Sequence, residues 1–206
     1  RDAQESRGLG DVYKRQRIYW YGEALSKRAV AIHLKVAVTK GPNMLDTNLK
    51  NQLKTYLQNL KSPVELVVAL DGSDKAAELK SLAEDIAGLS SLIHLKDETD
   101  PAVLKPSMLV RSTAKNTQIR FAGVPMGHEF TSLVLALLHS GGHTIKEEVA
   151  VLEQIASLQG EFNFEVFVSL SCQTCPEVVQ ALNLMAAVNP KIKTTMIDGA
   201  VFPDEV

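Results

Sequence analysis

The 206-residue chain predicts an α/β protein in which one helix–strand–helix–strand unit occurs twice in tandem, the second copy incomplete at its C-terminus. Three observations predict it. Amphipathic helical stretches alternate with short apolar runs, the pattern of strands joined by crossover helices in a partly parallel sheet. The stretches recur at nearly one spacing: helix starts at Asp46 and Thr144 lie 98 residues apart, strand starts at Val64 and Phe162 also 98, and strands near Leu92 and Ile192 lie 100 apart. The only two cysteines, Cys172 and Cys175, fall where a strand of the second copy gives way to a helix.

In the first copy, Leu49, Leu53, Tyr56, Leu57 and Leu60 share one face of a helix over 46–60, with Asp46 placed to cap its start and Pro63 ending it. A β-branched run at 64–70 reads as a strand, 74–89 as a helix burying Leu79, Leu82, Ala83 and Ile86, and 91–96 as a second strand. Strands follow at 107–111 and 119–123, then a helix carrying Phe130, Leu133, Val134, Leu137 and Leu138, closed by Gly141-Gly142. In the second copy, Thr144 and Glu147 have capping-box spacing before a helix with Val149, Leu152 and Ile155 inward. Phe162, Phe164, Val166 and Val168 alternate as a strand over 162–168, 176–188 is a helix on Val178, Val179, Leu182 and Met185, and 191–198 is a strand. Val206 falls opposite Pro106, so two edge strands and a covering helix of the second copy are missing, and apolar sheet surface is expected to stand exposed.

The first 43 residues do not share this order. They hold 9 Lys/Arg and 4 Asp/Glu, against 13 and 20 in the other 163, and contain Trp20 and three of the four tyrosines. Ser6 to Gln16, SRGLGDVYKRQ, resembles the translation of a transposase adapter used in sequencing-library preparation. Residues 1–43 are therefore read as a non-native extension, disordered or irregular, with Met44 the natural start. The competing reading is a basic targeting arm built on Arg17, Lys27, Arg28, Lys35 and Lys40.

A net charge of −2 makes no electrostatic case for nucleic acid. No apolar run reaches the roughly 18 residues a bilayer span needs, and no secretory signal is evident. Two cysteines cannot be a disulfide scaffold; a close pair reads as redox or metal chemistry in a reducing compartment, here the cytoplasm.

Cys172-Gln173-Thr174-Cys175 places both thiols near the first turn of a helix, where unpaired N–H groups and the positive dipole end stabilise a thiolate at Cys172. Pro176 suits that turn because its missing N–H costs nothing there. The chemistry this spacing supports is thiol–disulfide exchange: Cys172 attacks, and the more sheltered Cys175 resolves the mixed disulfide. Two alternatives stand beside it. Zinc takes four ligands, and only His139 and His143, at a helix end where a histidine is ordinarily solvated or dipole-facing, are at hand to complete a set. Two buried structural cysteines are the other, set against the polar Gln173-Thr174. The matching turn of the first copy, Asp71-Gly72-Ser73-Asp74-Lys75, has no thiol, which makes that copy a scaffold or docking half.

Residues 44–206 resemble the N-terminal domain of the alkyl hydroperoxide reductase F subunit, in MLDTNLKNQLKTYLQNL, FAGVPMGHEFTSLVLALL, and SLSCQTCPEVVQALNLM with the later IDG. The resemblance implies two tandem thioredoxin-like folds, 44–142 without cysteines and 143–206 partial and carrying the dithiol. It implies that Cys172 and Cys175 are the redox pair, passing electrons from a flavin domain further along the chain to a peroxiredoxin in NADH-driven peroxide removal. Glu129 matches an acidic residue placed beside that pair, where it is either the proton acceptor for the resolving thiol or a carboxylate complementing a helix dipole. Pro106 sits where thioredoxin folds place a cis-proline; an ordinary trans proline opening a strand is the alternative. No G-x-G-x-x-G appears, so FAD and NADH are expected in the full-length family protein, a homodimer by the same resemblance, and no cofactor on residues 44–206 themselves. A stand-alone glutaredoxin-like disulfide oxidoreductase and a non-enzymatic peroxiredoxin-docking module are the competing functions.

Overall fold

The computed structural model describes residues 44–205; the readings made of residues 1–43 lie outside them. The elements run α1 (Thr47–Leu57), β1 (Val64–Ala69), α2 (Asp74–Ala87), β2 (Ile93–Asp97), β3 (Ser107–Ser112), β4 (Gln118–Ala122), a 3-10 turn (Gly127–Glu129), α3 (Phe130–Ser140), α4 (Val149–Ser157), β5 (Phe162–Val168), α5 (Cys175–Val188), β6 (Ile192–Asp198) and a second 3-10 turn (Pro203–Glu205). Each predicted helix and strand is present with ends moved by a few residues. No described helix is long and apolar enough to cross a membrane.

Side-chain caps set two of the five described helix starts. The Asp46 carboxylate accepts from the Leu49 N–H at 2.7 Å, and the Ser73 hydroxyl from the Ala76 N–H at 3.2 Å, each satisfying a first-turn donor that has no partner inside the helix. The capping box expected at Thr144 and Glu147 does not form. Helix α4 begins at Val149 with Glu148 at the cap position and no side-chain cap bond. Its one fully buried residue is Ile155, while Val149, expected inward, is 69% exposed; Ile145 packs against the core from outside the helix, so the 144–148 stretch is held as a separate segment.

The strands form one sheet in the order β2-β1-β3-β4-β6-β5. Pairs β1–β2, β4–β6 and β5–β6 are parallel; β1–β3 and β3–β4 are antiparallel. The repeat is visible in the sheet, since β1-α2-β2 and β5-α5-β6 are the same type of crossover unit, a helix joining two adjacent parallel strands. Residues Val64, Leu66, Val68, Met108, Val110, Ile119, Phe121, Ile192 and Met196 lie on one sheet face and join the buried residues of all five helices in one hydrophobic cluster. The opposite face carries ion pairs instead. Glu65, itself buried, is bonded by Lys96 and by Arg111 at 2.6 Å, and those two cations hold its carboxyl below the usual range against the effect of burial.

The last unit is less covered than the first. All six residues of β1 are buried between β2 and β3. Its counterpart β5 has only β6 beside it among the described strands, with Phe162, Phe164 and Val166 half-buried and Phe167 42% exposed.

The seam between the units is the parallel pair β4–β6, where Ala122 stands opposite Ile197. One residue on, Gly123 has φ +104°, and a Cβ built there would lie 2.8 Å from the Cβ of Asp198. Both backbone conformation and space therefore demand glycine. Gly123→Ala is expected to destabilise the chain by about 2–4 kcal/mol, combining a positive-φ penalty with overpacking, measured as a lower urea midpoint at unchanged m.

Candidate dithiol site

The turn after β5 places the cysteines. Val168 is the last residue of the strand, the Cys172 N–H donates to the Ser169 carbonyl at 2.8 Å, and α5 begins at Cys175, one residue before Pro176. The two cysteines are joined as a disulfide with Cα atoms 5.5 Å apart. The Cys175 N–H, an amide of the first helical turn, donates to Cys172 Sγ at 3.2 Å, and the Thr174 hydroxyl lies 3.7 Å from the same sulfur. Cys175 packs against the hydrophobic cluster, while Cys172 is held beside the exposed Gln173 and Thr174. Helix-terminal amides aimed at one sulfur are what stabilises it when it leaves a disulfide as thiolate.

Glu129 reaches this neighbourhood through the β4–β6 seam. It ends the 3-10 turn and stands at the N-cap position of α3. A Cβ at Gly127, in the same turn, would lie 3.1 Å from the Leu170 carbonyl, two residues before Cys172; the two turns therefore pack together. Glu129 is fully buried, neither carboxylate oxygen has a hydrogen-bond partner, and burial pushes its pKa up, with the nearby Ser132 hydroxyl acting weakly the other way. A carboxyl in that setting is held toward its neutral form.

One of the two histidines departs from the sequence reading. His139 is buried, not solvated or dipole-facing, because it turns inward on the last turn of α3. Burial, reinforced by His143 and Lys115, pushes its pKa down to about 4. Among the described residues no group of three or more His, Cys, Asp or Glu is placed to hold a metal ion.

In the first unit, the turn matching the dithiol is built from hydrogen bonds. Ser73 donates its N–H to Asp71 at 3.0 Å, and with Lys105 close by it keeps that carboxyl below the usual range. Pro106 follows a cis peptide bond. Ser132 and Gln180, which link α3 to α5 at 3.3 Å, were not singled out from sequence. The one available signal was that Ser132 follows Glu129 by three residues, one helical turn.

No protein-family model matches the chain. It is 55% identical over 163 residues to the alkyl hydroperoxide reductase F subunit of Escherichia coli (strain K12), matching 79% of this chain and 31% of that protein. It is 46% identical over 162 residues to the protein of that name from Staphylococcus aureus (strain MRSA252), matching 79% and 32%. The chain therefore spans under a third of the length of these curated relatives. Among solved structures, the alkylhydroperoxide reductase F subunit of Enterococcus faecalis (V583) superposes with a TM-score of 0.69 at 32% identity, covering 78% of this chain and 83% of that one. A protein disulfide oxidoreductase from Aeropyrum pernix shares the fold at a TM-score of 0.66 and 23% identity, covering 80% of each chain.

The two buried titratable groups make opposite contributions to stability. Glu129 has a raised folded pKa, so the folded state binds more protons and stability is lost as pH rises from the unfolded value through the folded one. Glu129→Gln is expected to be more stable than the parent at pH 7–8, an advantage that vanishes below about pH 4.5. His139 has a lowered folded pKa, so stability is lost as pH falls from about 6.5 toward 4. Urea unfolding at pH 7 and 4.5 is expected to show a parent loss about 2–3 kcal/mol larger than that of His139→Gln.

Proposed function

The chain belongs to the family of the alkyl hydroperoxide reductase F subunit, and on that premise we propose that its dithiol relays electrons to the disulfide of a peroxiredoxin partner in peroxide removal. The observation that carries the reading is the Cys172–Cys175 disulfide at a strand-to-helix junction, with a helix-terminal N–H bonded to Cys172 Sγ. Reduction of the pair gives the working dithiol. Cys172 Sγ, as thiolate, attacks one sulfur of the partner disulfide; that S–S bond breaks and the departing sulfur takes up a proton. Glu129 accepts the proton of the Cys175 thiol. The Cys175 thiolate then attacks Cys172 Sγ; the mixed S–S bond breaks, the intramolecular disulfide closes, and the second partner sulfur leaves as a thiolate that takes the proton back from Glu129. Two electrons and two protons pass to the partner, and the chain ends oxidised.

Burial supports Glu129 as the acceptor. A carboxylate merely complementing a helix dipole would have its pKa held at or below the ordinary value, whereas burial pushes that of Glu129 up.

The division of labour follows the repeat. Residues 44–142 form the cysteine-free half, a scaffold and docking surface, and 143–206 the redox half. Neither β–α turn fits a dinucleotide phosphate: the disulfide sits on the α5 N-terminus, and Ser73 with the ionised Asp71 occupies that of α2. The reducing electrons come from a separate flavin and nicotinamide module of the family protein, and the site of action is the cytoplasm.

The test uses the 206-residue chain, reduced with a chemical dithiol and mixed with a disulfide-form peroxiredoxin of the kind that serves this family. Cys172→Ser is expected to abolish partner reduction, and Cys175→Ser to accumulate a mixed disulfide visible on non-reducing gels. Partner reduction at parental rate by Cys172→Ser would overturn the reading. Glu129→Ala is expected to slow closure of the intramolecular disulfide about 10²-fold or more near neutral pH, read by stopped-flow with the fold checked by circular dichroism.

A further inference from the structure

Glu129 has no hydrogen-bond partner of its own, yet a hydroxyl lies one helical turn away. Ser132 is fully buried on α3, three residues after Glu129. Its Oγ is bonded across the helix interface by Gln180 Nε2 at 3.3 Å, and Gln180 lies on α5, the helix that begins at Cys175. An amide nitrogen only donates, so in this bond the serine oxygen is the acceptor. Its own proton is left free to rotate. Both oxygens of Glu129 are unpartnered, buried acceptors on the same turn of α3.

We infer that Ser132, oriented by Gln180, is a positioning residue whose hydroxyl turns to donate to the Glu129 carboxylate when that carboxylate is ionised. The inference rests on the reading of Glu129 as proton acceptor. The Ser132 hydroxyl bonds the ionised carboxylate best, because a protonated carboxyl is a weaker acceptor. Before transfer it steadies the charged base without burying it bare; after the Cys175 proton arrives the bond weakens, and the hydroxyl stays with Gln180. No covalent bond to the hydroxyl proton breaks at any step, and Ser132 acts only through Glu129. Other titratable groups on the elements packed here include the dithiol, Glu177 on α5, His128 on the same 3-10 turn, His139 on the last turn of α3, and Asp198 beside Gly123. None of them hydrogen-bonds the Glu129 carboxylate.

The test is the carbon-13 titration of the Glu129 carboxyl in the oxidised 206-residue chain, for the parent, Ser132→Ala, Ser132→Thr and Gln180→Leu. Loss of a hydrogen bond to the ionised form is expected to raise the midpoint in Ser132→Ala by about one pH unit. Ser132→Thr, which keeps the hydroxyl, is expected to restore the parental value. Gln180→Leu is expected to shift it in the same direction by less. The second arm is the pH–rate profile of intramolecular disulfide closure after reaction of the reduced chain with an aromatic disulfide; its acid limb is expected to move with the Glu129 midpoint. An unmoved midpoint in folded Ser132→Ala overturns the inference whatever the kinetics. A moved midpoint together with parental closure rates in Glu129→Gln overturns the proton-acceptor reading instead, and with it the link from Ser132 to exchange.

Discussion

Parallel pairing of β4 with β6 is the contact on which the rest of the molecule depends. It joins the last strand of the first unit to the second unit, so that a repeated sequence becomes one sheet and not two. It also fixes the depth at which the two chain segments leave the sheet. Gly123 and Asp198 leave side by side, closer than any side chain at 123 would permit. The turn that follows Gly123 ends in Glu129, and the strand beside β6 runs directly into the cysteine turn. A register slip of one residue along this pair would invert the faces of β6 and move the Gly127 turn away from Leu170.

The two units have come to different uses of the same geometry. A strand-to-helix turn points amide hydrogens at whatever lies on the helix axis. In the first unit that space is filled by Ser73, with Asp71 bonded behind it, and the turn is closed by ordinary hydrogen bonds. In the second unit the same donors meet Cys172 Sγ. The two turns thus differ in which atom occupies one helix end, a serine oxygen in the first and a sulfur in the second. The buried Glu129 lies at the end of the turn that packs against the one leading to the cysteines.

That addition has a cost in stability. A carboxyl with two unpartnered oxygens in the interior opposes folding once it is ionised, and His139 opposes it once protonated. The hydrophobic cluster shared by five helices and one sheet face offsets both. On the opposite face no such cluster is needed, because Glu65 is matched by Lys96 and Arg111 across three neighbouring strands.

Sequence by itself determined the element order, the repeat and the place of the cysteine pair between a strand and a helix. Those follow from local rules: the 3.6-residue stripe of Leu49, Leu53 and Leu57, the alternation of Phe162, Phe164 and Val166, and a C-x-x-C between a strand and a helix. Asp46 as a cap was legible for the same reason, since cap and amide are three residues apart. Thr144 and Glu147 obey the same local rule and fail, because a capping box needs a helix whose start is held by packing, and Val149 stands largely exposed. Glu129 was legible only through family resemblance; nothing in Gly127-His128-Glu129-Phe130 says that the carboxyl is buried without a partner. His139 likewise turns inward or outward according to what α3 meets. The pairing of Ser132 with Gln180, 48 positions apart, and the meeting of Glu129 with the dithiol turn were decided by tertiary structure alone. Burial and contact between distant segments depend on strand order in the sheet, and strand order is a property of the whole chain that no local window contains.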